Sequence, residues 1–208
     1  YEQVVECLRP LIANRALMES CPDRSLIGPY VEALQKLGRL DALAREMEAQ
    51  TGAGSTNSLH WHMLAQCRRA AGDKAGAVAC YRKLVEAMPS HAAMRGWIQA
   101  LDNRQDYEEK VAAYREYFKR FPDARKSDMG LDRLVDLHRR NAQLDRALEA
   151  AREYVAISPW YLGTVGEILA AQRKYAEAAE VFRQVAAADA QNRDYYRTRI
   201  ADMLMAAE

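Results

Sequence analysis

An internal repeat constrains this 208-residue chain more than any other feature. Within 58–91, Trp61, Leu64 and Ala65 precede Gly72, and Ala77, Tyr81, Leu84, Val85 and Pro89 follow it. The skeleton returns with Trp97, Ile98, Leu101, Tyr114, Tyr117, Phe118 and Pro122. A third copy holds Leu131, Leu134, Val135, His138, Ala142, Ala147, Ala151, Tyr154, Val155 and Pro159. A fourth runs through Leu162, Val165, Gly166, Leu169, Ala178, Phe182 and Val185. Pro89 and Pro122 lie 33 residues apart, Pro122 and Pro159 37, with the surplus assigned to "PDARKSD". A period of this length implies stacked units, none of which buries its apolar face alone.

Each copy reads as two helices joined by a tight turn. No alternating Val/Ile/Thr-rich run is present, so no sheet is expected. Gly72 is placed to end one helix and Asp73 to cap the next. Asp106 followed by Glu109 reads as a capping box, and Ser158-Pro159 puts proline in a first turn. Gly76 stands between Ala75 and Ala77 and costs ~1 kcal/mol of helix propensity against alanine. Its expected role is close packing: Ala65 and Ala77 mark where the helices cross, with Gly76 and positions such as Ala142 and Ala147 keeping the contact slim. Tyr81 then fills the gap toward the next unit.

Trp61, Leu64, Gly72, Ala77, Tyr81 and Pro89 resemble the tetratricopeptide repeat family, whose unit is an antiparallel helix pair of about 34 residues. The resemblance covers roughly residues 24 to 208 and is densest over 58–91. It implies an all-α fold, a right-handed α-solenoid of about five helix pairs plus end helices. The segments expected are an N-terminal helical extension (1–23), a divergent repeat (24–57), four repeats (58–91, 92–127, 128–158, 159–190) and a capping or truncated helix (191–208).

The amino-terminal third departs from the pattern. Gly38 serves as a turn, Leu43 stands at the small position, Met47 replaces the aromatic, and no proline closes the unit. Pro29 is expected to begin a helix near Gly28, and "TGAGSTN" (51–57) reads as a long flexible loop. The first twenty residues read as one helix or a pair broken around Pro10. At the far end, Tyr196, Ile200, Met203 and Leu204 share one helical face, a candidate self-association edge.

Repeat arrays bind along the concave surface lined by their first helices. By register the outward stripe holds Leu59, His62, Gln66 and Arg69, then Ala92, Arg95, Gln99 and Asp102. It continues with Met129, Asp132, Asp136 and Arg139, then Trp160, Gly163, Glu167 and Ala170. The spacing i, i+3, i+7, i+10 keeps each set on one face. His62, Arg69 and Arg95 make the earlier part basic, and Asp132, Asp136 and Glu167 make the later part acidic. Such a groove would orient a segment of opposite pattern; the competing reading is an ordinary solvated face. Trp160 is either an exposed anchor or packed on the preceding helix. Some members of the family hold a carboxylate-terminated chaperone tail with lysine and asparagine; those positions read His62/Gln66, Arg95/Gln99 and Asp132/Asp136, so that clamp is not carried over.

The function classes narrow accordingly. A net charge of +1 gives no footprint for nucleic acid, and no apolar run reaches the ~18 residues of a membrane span. Cys7, Cys21, Cys67 and Cys80 lack paired spacing and read as buried free thiols. His60 and His62 point to opposite sides of a helix, and His91 and His138 have no acidic or Cys neighbour at ligand spacing, so no metal and no cofactor is expected. No catalytic motif occurs. The expected function is a non-catalytic scaffold for another protein or peptide segment, part of a larger protein or assembly. The alternative is a regulatory module sensing a small ligand in a pocket near Trp160 or Trp97. The compartment is not readable.

Overall fold

The structure, a computed structural model of the chain, describes residues 1–14, 17–18, 26–51, 57–127 and 129–207. Among the described residues there are helices and turns and no strand. The helices are α1 (Glu2–Ala13), α2 (Ile27–Lys36), α3 (Leu40–Gln50), α4 (Ser58–Ala70), α5 (Lys74–Ala87) and α6 (His91–Ala100). Then come α7 (Tyr107–Arg120), α8 (Leu131–Arg140), α9 (Leu144–Val155), α10 (Leu162–Ala171), α11 (Tyr175–Ala188) and α12 (Arg193–Ala207). Short 3₁₀ turns at Pro122–Lys126 and Pro159–Tyr161 follow α7 and α9. The chain divides into two compact units, Tyr1–Tyr117 and Phe118–Glu208. Each is an α-solenoid of helix pairs: α2/α3, α4/α5 and α6/α7 after α1 in the first, and α8/α9 and α10/α11 followed by α12 in the second. Cys21, the start of the divergent repeat and residues 52–56 of the expected loop lie outside the described residues.

Four of the pairs close by one device. The second residue after the first helix takes a left-handed conformation: Gly38 at φ +67°, Gly72 at +82°, Ala142 at +56° and Arg173 at +62°. Its N–H reaches three residues back and the next N–H five back, as in Gly72 to Arg69 (3.0 Å) with Asp73 to Arg68 (2.8 Å). Ala142 to Arg139 (3.0 Å) with Gln143 to His138 (2.9 Å) repeats it. These bonds satisfy the last carbonyls of the first helix. Ala142 therefore belongs to the turn, which corrects its expected place in the helix crossing. The α6–α7 connection is built differently: the Asp102 carboxylate accepts the Arg104 and Gln105 N–H groups, and the buried Lys110 ammonium donates to the Leu101 carbonyl at 2.8 Å.

Asp73 caps α5 as expected, accepting the Gly76 N–H at 2.8 Å, and Ser90 caps α6 through the Ala93 N–H at 3.2 Å. The box expected at Asp106 does not form: the Asp106 carboxylate accepts the Asp102 N–H at 2.8 Å. The Asp106 carbonyl opens α7, but the Glu109 carboxylate turns away to Arg82 and to the Trp97 indole N–H (3.2 Å). Pro29 sits in the first turn of α2, and α1 runs unbroken through Pro10. The bidentate pair of Arg39 with Glu2 (2.8 and 3.0 Å) ties α1 to the first turn.

Gly76 needs reinterpretation. It is the third residue of α5, and a Cβ there would lie 2.0 Å from the Asp73 carboxylate and 2.8 Å from Arg68 Cδ. The glycine leaves room for the cap, and close packing is the work of other glycines. A Cβ on Gly96 in α6 would stand 2.3 Å from the Tyr81 ring, and one on Gly166 in α10 would stand 2.6 Å from Phe182. Ala65, Ala77, Ala147 and Ala178 are fully buried, as the crossing of small residues requires. Tyr81, as expected, spans toward the next pair.

Of the three described cysteines, Cys67 and Cys80 are buried and Cys7 is exposed, which corrects the expectation for Cys7. The apolar face of α12 lies on α11. Tyr196 stacks on Phe182 with centroids 6.1 Å apart, Arg199 lies over the same ring at 5.4 Å, and Met203 is buried. Leu204 points outward instead, with 43% of its surface exposed.

The turn geometry makes a direct prediction. Ala142→Gly should stabilise the fold by ~0.5–1 kcal/mol, because relief of the left-handed strain exceeds the added chain entropy. Gly72→Ala should cost ~1 kcal/mol for the reverse reason. Urea unfolding followed by circular dichroism checks both; equal midpoints would remove the left-handed turn from the account.

Candidate functional site

In the first unit the stripe residues of α4 are organised around Tyr81. The Gln66 side-chain amide donates to the Tyr81 hydroxyl at 2.9 Å, and Arg69 donates to the Gln66 carbonyl oxygen at 2.7 Å. The Tyr81 ring in turn rests against Gly96. A packing residue of the core thus aims a half-buried amide, which positions an exposed guanidinium. His62 differs from expectation: it is 5% exposed, edge-on to Tyr81 with centroids 5.6 Å apart. It faces the interior because its ring packs against Tyr81 of α5. Arg95 is half-buried and Gln99 exposed on α6.

An open pocket of about 420 Å³ lies between α2 and α4, lined by Gly28, Pro29, Glu32, Gln35, Gln66 and Arg69 among others. Gln35 donates to the Ala70 carbonyl at 2.7 Å and fixes one wall. The α2 residues were missed by sequence reasoning, which stopped the stripe at the irregular first repeat. The signal was present: Gly38 and Gly72 stand 34 residues apart, and the same offset carries His62, Gln66 and Arg69 onto Gly28, Glu32 and Gln35.

In the second unit Asp132, Asp136 and Arg139 on α8 meet α10. Arg139 pairs with Glu167 at 3.8 Å, both partly exposed. Asp132 and Asp136 act electrostatically on the Tyr161 hydroxyl. Burial, reinforced by the Asp136 and Asp132 charges, pushes the Tyr161 phenol up to about 12. The second oxygen of Asp132 contacts Arg133 only distantly (3.9 Å), and its Oδ1 is buried without a hydrogen bond. Trp160 is 74% exposed, and its ring lies edge-on to Tyr154 of the preceding helix with centroids 6.3 Å apart. Tyr161, central to this face, was missed because proline and tryptophan before it disguise the start of α10.

Among the described residues no group of three His, Cys, Asp or Glu side chains is placed to hold a metal, and no helix is long and apolar enough to cross a membrane. Cys67 is pushed up to about 12 by burial and is a poor nucleophile.

Residues 61–91 match the family model for the tetratricopeptide repeat, so the chain carries such a repeat across α4 and α5. Among solved structures it is similar to "TPR2AB-domain:pHSP90-complex of yeast Sti1", with 13% identity over 96% of this chain and 92% of that one and a TM-score of 0.37. No curated protein matches the chain.

The Tyr161 environment is testable by titration. A phenol raised above its unfolded value near 10 stays neutral in the folded state, so its contribution to stability is complete below pH 10 and declines as pH rises toward 12. Asp136→Asn should lower the Tyr161 value modestly, since burial dominates. Site-resolved NMR of ring-labelled tyrosine reports this; an ordinary value near 10 in the folded protein would contradict the placement.

Proposed function

We propose that the chain is a non-catalytic scaffold that captures another protein, or a peptide segment of one, on the exposed faces of its first helices. The observation that carries this reading is the open pocket between α2 and α4, where Gln66 and Arg69 are already ordered by Tyr81. Ordered side chains lose less conformational freedom on binding, which favours association. Arg95 and Gln99 extend the candidate surface of the first unit. Asp132, Asp136, Arg139, Trp160 and Glu167 form a separate candidate surface in the second, more acidic and carrying an exposed indole of the kind enriched at hot spots. His62 supports the first surface from beneath. A place in a larger protein or assembly belongs to the same proposal. Self-association through α12 is a narrower one, resting on exposed Tyr195, Leu204 and Met205.

Reversing Arg69 and Arg95 to Glu should weaken partner capture severalfold while moving the melting temperature little, because surface charges usually contribute within ~0.5 kcal/mol to folding. Arg45→Glu, on the exposed side of α3, is the control. Arg82 is unsuitable because it is paired with Glu109. Quantitative affinity capture with the full chain gives the readout. Equal capture by both variants and the parent would show the α4 and α6 faces to be ordinary solvated surface.

A further inference from the structure

The first unit holds a second pocket, of about 370 Å³, on the other side of the α2–α4 contact. Its size falls at the small end of ligand sites, which span roughly 300–1,000 Å³. The floor is apolar and well packed: Ile12 from α1, Leu43 and Met47 from α3, and Met63 from α4 are each buried. Tyr30 of α2 lines the same space. It is 8% exposed, and its hydroxyl makes no hydrogen bond among the described residues. Facing the pocket with no protein partner among these residues, the hydroxyl is open to donate to a ligand oxygen placed against it. Burial raises the phenol above its usual range, which keeps it a donor at neutral pH.

Two opposite charges stand at the rim. Arg9 and Glu46 both line the pocket, both act electrostatically on the Tyr30 hydroxyl, and neither has an ion-pair partner among the described residues. A lone carboxylate ligand would meet the Glu46 charge, and a lone amine would meet Arg9. A molecule with both groups satisfies each.

We propose that this pocket binds a small zwitterion with an apolar body, the chemistry of a free large apolar amino acid, with its carboxylate at Arg9 and Tyr30, its ammonium at Glu46 and its side chain on Met47 and Met63. This site is separate from the α2–α4 face that faces a protein partner, and it does not depend on that assignment.

Isothermal titration of the full chain with L-phenylalanine, 3-phenylpropanoate and phenethylamine tests the proposal. L-Phenylalanine should bind saturably at one site. Each analogue lacking one charged group should bind about tenfold more weakly or worse, the loss expected of one charge-assisted contact. Arg9→Gln and Glu46→Gln should erase the preference for the zwitterion, and Tyr30→Phe should weaken binding without lowering the melting temperature. Absence of saturable binding, equal affinity for the three compounds, or binding indifferent to Arg9 and Glu46 would overturn it.

Discussion

An aromatic ring seated on a backbone that carries no Cβ is the contact on which each unit depends. Tyr81 lies on Gly96 in the first, joining one helix pair to the next, and Phe182 lies on Gly166 in the second, joining the helices of a pair. Both rings are almost wholly buried. Aromatic side chains carry the largest apolar area available to a core, and a glycine lets the ring approach to van der Waals distance of the main chain. The alanines at 65, 77, 147 and 178 extend the same economy of volume along the helix crossings.

From that contact the surface follows. Because Tyr81 is pinned by Gly96, its hydroxyl stands at a fixed place under α4, where it orients Gln66 and through it Arg69. The exposed guanidinium is thus linked to the core by two hydrogen bonds. In the second unit Phe182 also receives Tyr196 and Arg199 of α12, so the last helix is held by the ring that closes the preceding pair. The acidic face around Tyr161 differs in kind: it rests on desolvation beside two carboxylates rather than on an ordered cation.

Much of this was legible in the sequence because helix pairs repeat their requirements. The phase of Trp61, Gly72, Ala77 and Tyr81 placed α4 and α5, and the Asp73 cap lay where side-chain chemistry puts it. What failed shared a cause: each depended on which neighbour a residue meets, and a single-helix register carries no such information. His62 falls on the stripe by angle, yet it is buried edge-on against Tyr81. Gly76 resembles a packing glycine in isolation, whereas its Cβ position is taken by the cap. Ala142 looks like a small core residue, yet it serves as a left-handed turn that glycine fills at 38 and 72. Glu109 stands at capping-box spacing, and a cation with an indole N–H from other helices outcompetes the backbone.

A double-mutant cycle on Gly166 and Phe182 measures the central contact most directly. Gly166→Ala alone forces a methyl into the ring and should cost ~1–3 kcal/mol by overpacking. Phe182→Leu alone removes the ring together with its contacts to Tyr196 and Arg199, and that loss is common to both backgrounds. With the ring already gone, the added methyl should be tolerated, so the pair should destabilise less than the two singles combined, by about 1 kcal/mol or more. Additivity within ~0.5 kcal/mol would mean that the glycine does not serve the ring.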